Sequence, residues 1–163
     1  YRHGIGRVAH GPLAGDVRRE GGAAAIERAL VWFKGEEDGL EPGLDTRPAV
    51  AFNLATLAML VGTELAPDLS GHVVMIEEVA EHLYAVDRLL FHVTQHLGGI
   101  AGLRLGRISD IPENDRPFGS DEVALAQDRC RRSGIPYLGM PDIGHDPANQ
   151  TVPFGLAARA ARA

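Results

Sequence analysis

The stretch HVVMIEEVAEHLYAVDRLL, residues 72–90, constrains the fold more than any other part of the chain. Its four apolar residues at 73–76 are typical of a buried strand. The helix predicted next has apolar residues spaced alternately 3 and 4 positions apart: Leu83, Val86, Leu90, Val93 and Leu97. A buried strand that leads into an amphipathic helix predicts an α/β domain.

The same alternation recurs along the rest of the chain. Strands are predicted in IGRVAHG, at residues 49–52, in AGLRLGRI and in IPYLGM. Helices are predicted in AAAIERALVWFKG, with Ile26, Leu30 and Phe33 on one face, and in GSDEVALAQDRCRRSG. A further helix is expected to begin after Asn53, whose side-chain oxygen can cap it, and to end at Gly62.

Charge and composition bear on the partners of the chain. It has 16 Lys and Arg against 22 Asp and Glu, a net charge of -6, so its field repels phosphate backbones and anionic lipids. We therefore expect no nucleic acid or membrane partner. No run approaches the roughly 20 apolar residues of a membrane span. The chain begins with Tyr1 and not with Met, so we expect it to be a piece of a longer protein.

Three residue patterns suggest chemistry, and each also has a structural explanation. His92 and His96 have the spacing of two zinc ligands on one helix face, but Val93 stands where zinc proteases need a glutamate. Ser120 precedes acidic residues at a helix start, as a capping hydroxyl does, which disfavours it as a nucleophile. Cys130 is the single cysteine; neighbouring arginines would lower its pKa, and the alternative is a small residue on a helix.

Glu77 and Glu78 follow the apolar run at 73–76 and so lie at the carboxyl end of a strand, the edge where α/β sheets bind ligands. Strand alternation points one carboxylate into that crevice and the other away from it, without choosing between them. His145 lies in the loop DIGHDPANQTVPFG after the last predicted strand. Such a loop histidine is a catalytic candidate, and the alternative is an imidazole that hydrogen-bonds its own loop.

These residues resemble the serine peptidase family of murein LD-carboxypeptidases, which also contains the immunity peptidases that inactivate microcin C. The family's apolar-Glu-acidic-Val pattern is matched by MIEEV, and the Tyr and Asp-Arg of its next helix by Tyr84 and Asp87-Arg88. Its Gly-His, Asn and Pro-apolar-Gly are matched within GHDPANQTVPFG. FNLATLAMLVGTELAPDLSG and HGP at 10–12 are similar too, so the resemblance runs from about residue 7 to residue 155.

The resemblance implies a Ser-Glu-His catalytic triad. Carried over residue by residue, its glutamate is Glu77 and its histidine is His145, 68 positions apart, and Glu78 becomes a structural companion. The family's serine lies in a Gly-aromatic-Ser-Asp turn upstream of HGP, so we expect residues 1–163 alone to lack nucleophile, oxyanion hole and peptidase activity. Ala51 and Phe52 also depart from the family, which has Gly-Gly there.

For the whole protein, the resemblance implies a cytoplasmic, homodimeric LD-carboxypeptidase. It would release terminal D-alanine from murein tetrapeptides, without cofactor or metal. Residues 1–45 would be the end of an N-terminal domain and a hinge, and residues 46–163 a swivelling β/β/α-type catalytic domain with a small mixed sheet and flanking helices. Two alternatives stay open. A microcin C-type immunity peptidase needs an aromatic to stack on a base, whereas we expect Trp32 to be packed in a core; the other is a non-catalytic binding or dimerisation domain.

Overall fold

Strands and helices alternate in the structure, a computed structural model that describes residues 6–155. The strands are β1 (Ala9–His10), β2 (Ala49–Asn53), β3 (Val73–Val79), β4 (Gly102–Ser109) and β5 (Val152–Pro153). The α-helices are α1 (Gly22–Phe33), α2 (Leu54–Leu60), α3 (Leu83–His96) and α4 (Glu122–Arg132), and a 3-10 helix covers Ala14–Arg18. This order confirms the predicted α/β class.

Three parallel strands form the main sheet, in the order β2-β3-β4. In the register of β2 with β3, Asn53 lies beside Glu77, so the last residue of one strand adjoins the carboxylate of the next. A separate antiparallel pair joins β1 to β5, with His10 opposite Val152. Parallel strands end at the same edge of a sheet, and that edge is therefore where the polar residues after the apolar runs collect.

The two faces of the main sheet are covered by different parts of the chain. Val74 and Ile76 belong to the larger core, which also holds the buried side of α3. Val73 and Met75 belong to a smaller core that includes Ile143 and Val152, on either side of His145 in sequence. The helix periodicity is confirmed, because four of its five predicted positions are buried: Val86, Leu90, Val93 and Leu97.

Local predictions at the ends of elements have mixed outcomes. Asn53 caps α2 as predicted, since its side-chain oxygen accepts a hydrogen bond from the Thr56 N–H at 3.0 Å. The strand predicted in IPYLGM is wrong: this segment makes a single parallel bridge, from Tyr137 to Leu103, and Pro136 cannot donate a ladder hydrogen bond. The short strand β5 was missed, because two residues are too few to produce a periodic pattern.

The apolar face predicted for α1 is not the buried one. Leu30 and Phe33 are 50% and 61% exposed, whereas Ala25 and Trp32 are buried. The guanidinium group of Arg7 lies over Trp32, with its carbon atom 4.3 Å from the centroid of the tryptophan ring. Periodicity correctly indicated an amphipathic helix, but it carries no information about which side the rest of the chain covers.

Helix α4 shows how Ser120 and Cys130 are used. Asp121 caps the helix, accepting a hydrogen bond from the Ala124 N–H at 2.7 Å, so the prediction of Ser120 as the cap was one residue early. Both side chains are good caps, and the sequence did not distinguish them. Cys130 is 1% exposed, and burial raises the pKa of its thiol to about 11, which agrees with the structural explanation.

We expect Cys130 to be inert toward thiol reagents in the folded protein. With a pKa of about 11, only about one thiol in ten thousand is ionised at neutral pH, and burial also blocks access. Treatment with an aromatic disulfide reagent followed by peptide mass spectrometry should show Cys130 unmodified in the native protein and fully modified after unfolding in guanidinium. Rapid native labelling would contradict the buried position.

Candidate functional site

Glu77 lies on β3 with its side chain toward the loop that carries His145. Val73 and Met75 of this strand share the smaller core with Ile143, and Glu77 continues the same alternation toward the strand's carboxyl end. Its side chain is 2% exposed. Oε1 lies 3.9 Å from Nε2 of His10, and Oε2 is buried without a hydrogen-bond partner among residues 6–155. A buried carboxylate oxygen left unpaired is costly, and such a group calls for an explanation.

Glu78 points to the opposite side and is fully engaged. It accepts hydrogen bonds from Asn53 Nδ2 at 2.6 Å, from the Ala55 N–H at 2.8 Å and from the Val79 N–H at 2.9 Å. The Ala55 N–H is one of the free donors at the start of α2, so Glu78 stabilises the beginning of that helix. Strand alternation thus places the hydrogen-bonded carboxylate of Glu78 on one side and the carboxylate of Glu77, whose Oε2 lacks a partner among residues 6–155, on the other.

A cavity of about 190 Å³ brings the predicted site residues together. Its lining comes from residues 10–13 and Asp16, from Asn53 and Glu77 at the strand ends, and from the loop around His145. Within residues 6–155, no hydrogen bond joins Glu77 to His145, although both line the cavity. The pairing of the two in a triad therefore stays a prediction.

The loop that carries His145 is held by its own residues and by β4. The buried Asn149 side chain accepts a hydrogen bond from the Gly144 N–H at 3.2 Å. Arg107 on β4 donates to Asp142 at 2.5 Å and to Asp146 at 2.5 and 3.0 Å. Burial acts to raise the pKa of Asp146, but the hydrogen bonds and charge of Arg107 outweigh it, so this pKa lies below its ordinary value. Asp146 is therefore an anion beside His145 at neutral pH.

Two arginines from the N-terminal segment also hold this loop. Arg28 of α1 donates to the carbonyl oxygen of Asn149 at 3.0 and 3.2 Å and also to that of Pro147. Arg19 donates to the carbonyl oxygen of His145 at 3.0 Å. Sequence reasoning missed both residues, and no local signal could have found them, because their partners lie 119 to 126 positions away.

A buried ion pair connects the acidic segment 36–45 to the same region. Glu41 is 2% exposed, and its Oε2 forms an ion pair with Nη1 of Arg104 at 2.8 Å. It also accepts hydrogen bonds from the N–H groups of Gly43 and Asp142, at 2.8 and 3.2 Å. A Cβ at Gly43 would come within 2.5 Å of the Arg104 guanidinium, so a larger residue there would have to displace the end of that side chain. This acidic segment is thus anchored to β4 and to the start of the His145 loop.

The other histidine candidates lie apart from this cavity. His92 and His96 are exposed on α3, and His96 Nδ1 lies 2.8 Å from the carbonyl oxygen of His92. Across the described part of the chain, no three His, Cys, Asp or Glu side chains are grouped as they would be to hold a metal ion. Over the same residues, no helix is both long and apolar enough to cross a membrane.

Comparison with known proteins establishes the family. The family model described as LD-carboxypeptidase C-terminal domain matches residues 48–160, and the chain belongs to this family. A Synechocystis sp. protein provisionally named a carboxypeptidase is 31% identical over 72% of this chain and 40% of its own length. A Streptomyces coelicolor protein with the same provisional name is 29% identical over 91% of this chain and 50% of its own. The family resemblance is confirmed, and the chain spans about half the length of these relatives.

Solved structures share the fold at lower identity. Muramoyltetrapeptide carboxypeptidase from Oxalobacter formigenes superposes with a TM-score of 0.76 at 24% identity, over 94% of this chain and 57% of that one. The microcin C7 self immunity protein MccF gives a TM-score of 0.68 at 16% identity, over 91% and 56%. MccF has been solved with aspartyl sulfamoyl adenosine, and an active-site mutant of it carries alanine at one serine, one asparagine and one lysine.

Proposed function

We propose that this chain supplies two members of the Ser-Glu-His triad of a serine-type LD-carboxypeptidase, Glu77 and His145. The observation that carries the proposal is the buried Oε2 of Glu77, which has no hydrogen-bond partner in the described part of the chain and belongs to a residue that lines one cavity with His145. A carboxylate in that state is tolerated where a histidine beside it becomes charged during the reaction. Membership of the family supports the assignment.

In the proposed mechanism, His145 takes the proton of a serine hydroxyl as that hydroxyl attacks an amide carbonyl. Glu77 accepts a hydrogen bond from the other ring nitrogen of His145, which selects the tautomer and stabilises the imidazolium. Arg28 and Arg107 hold the His145 loop from two sides. His145 is therefore kept close to Glu77 before the reaction begins. The serine would come from outside residues 1–163, and the serine of the MccF active-site mutant supports a serine mechanism.

The proposed substrate is a murein peptide that ends in D-alanine, as the similarity to a muramoyltetrapeptide carboxypeptidase supports. The alternative is the cleavage of an aminoacyl-nucleotide amide, as in microcin immunity. That chemistry needs an exposed aromatic to stack on the base, and Trp32 is 4% exposed beneath Arg7. The burial of Trp32 excludes the one tryptophan of the chain from that role. The division at residue 45, a cytoplasmic location and a homodimer are parts of this proposal. A non-catalytic binding or dimerisation domain is the other alternative.

The test is a substrate comparison with the product of the complete gene. A murein tetrapeptide ending in D-alanine should release alanine, while the diastereomer ending in L-alanine and an aminoacyl sulfamoyl adenosine should stay intact. Residues 1–163 alone should release nothing. Cleavage of only the nucleotide amide would support the immunity function, and no cleavage of any of the three would favour the non-catalytic domain. Release by residues 1–163 would place the nucleophile within this chain and make Ser120 the first candidate.

A further inference from the structure

A second histidine lies against the carboxylate assigned to the triad. His10 is on β1, which pairs with β5 directly after the His145 loop, and this pairing brings the N-terminal segment to the cavity. Its Nε2 is 3.9 Å from Oε1 of Glu77, and the two side chains are 16% and 2% exposed. Nδ1 of His10 is also buried, and no group of the described residues hydrogen-bonds to it.

The two oxygens of Glu77 are thus in different situations. Oε1 faces His10, whereas Oε2 is fully buried and has no hydrogen-bond partner among residues 6–155. Among residues 6–155, His10 is the one basic side chain that comes within 4.0 Å of this carboxylate. Desolvating a carboxylate is expensive unless a donor or a positive charge lies nearby, and His10 is in place to reduce that cost. At 3.9 Å the two atoms do not form a hydrogen bond in this structure, and the imidazole presents a polar edge to Oε1.

We propose that His10 is a positioning residue for Glu77. It holds Oε1 on the side of β1 and thereby leaves Oε2 free for the ring nitrogen of His145. His10 acts through Glu77 and does not touch the reacting atoms. This inference rests on the proposed function, because it assigns a task to His10 only if Glu77 supports the catalytic histidine. If His10 has this role, the pairing of β1 with β5 is also needed to orient the Glu77 carboxylate.

The experiment is a double-mutant cycle in the product of the complete gene, assayed with the D-alanine tetrapeptide. His10→Phe removes the polar edge and should lower kcat about tenfold to a hundredfold with KM little changed. His10→Gln keeps an N–H donor near the position of Nε2 and should recover most of kcat. His92→Phe removes an exposed histidine far along α3 and should leave kcat and KM unchanged.

The cycle separates positioning from a general structural role. In the Glu77→Gln background, His10→Phe should cause no further loss, because the group through which His10 acts has gone. An equal further loss in that background would overturn the inference, as would an unchanged kcat for His10→Phe while Glu77→Gln is inactive. If Glu77→Gln itself keeps full activity, the proposed function fails first. Circular dichroism of each variant checks folding, and His10→Gln keeps the test decisive if His10→Phe misfolds.

Discussion

Glu77→Gln in the product of the complete gene is expected to lower kcat for D-alanine release by about a thousandfold to ten-thousandfold. Glutamine has nearly the same shape, but it cannot neutralise the imidazolium of His145 and its amide group favours the wrong tautomer. The buried position of Glu77, 2% exposed, strengthens the effect, because water cannot replace the lost charge. His145→Ala should cause a loss of similar size. Steady-state kinetics with the D-alanine tetrapeptide measures both.

Glu78→Gln is the matched control, since the neighbouring carboxylate is equally buried and differs only in its partners. Glu78 accepts hydrogen bonds from Asn53 and from the start of α2, so glutamine there should cost about 1–3 kcal/mol of unfolding free energy. Its kcat should stay within about tenfold of the wild type. If the two variants lost kcat equally, or if Glu77→Gln stayed within about tenfold of the wild type, the assignment of Glu77 would be wrong.

Glu41→Ala is expected to lower the free energy of unfolding by about 3–5 kcal/mol. The substitution leaves the Arg104 guanidinium, on a side chain only 12% exposed, without its carboxylate partner. It also removes the acceptor of the Gly43 and Asp142 N–H groups. Thermal and urea unfolding measure the effect, and for a domain of this size the melting temperature should fall by roughly 6–20 °C.

Asp128→Asn provides the comparison for Glu41, because Asp128 pairs with Arg131 and Arg132 on the exposed side of α4. Exposed pairs contribute little, so its melting temperature should equal that of the wild type within error. If Glu41→Ala were as stable as Asp128→Asn, the buried pair would not anchor the segment 36–45. Loss of activity in Glu41→Ala without loss of stability would instead show that the pair acts on the His145 loop through Asp142.

Much of the candidate site followed from local sequence patterns. The apolar run at 73–76 predicted β3, and the residues directly after it include Glu77 and Glu78. Strand alternation predicted that the two carboxylates would separate, and they do. The family resemblance then favoured Glu77 over Glu78, and the structure shows Glu78 engaged with α2 and Glu77 facing the cavity.

The buried face of α1 shows where local patterns stop. The spacing predicted Ile26, Leu30 and Phe33 as the core-facing side, yet Leu30 and Phe33 are exposed. The separate expectation that Trp32 is packed in a core is confirmed, because it is buried. The periodicity describes how apolar side chains are distributed around a helix, whereas burial depends on which other parts of the chain pack against it. The same holds for IPYLGM, where a β-type composition produced one bridge to β4 and no strand.

By itself, the sequence determined the α/β class, the cap at Asn53, the buried side of α3 and the placement of two glutamates at a strand end. These depend on residues a few positions apart, whose geometry is set by the periods of helix and strand. Only the tertiary structure decided that His10 lies against Glu77, that Glu41 pairs with Arg104 and that Arg19 and Arg28 hold the His145 loop. Those contacts join residues 63 to 126 positions apart, and the pairing of distant groups depends on how the chain closes on itself, which local periodicity does not encode.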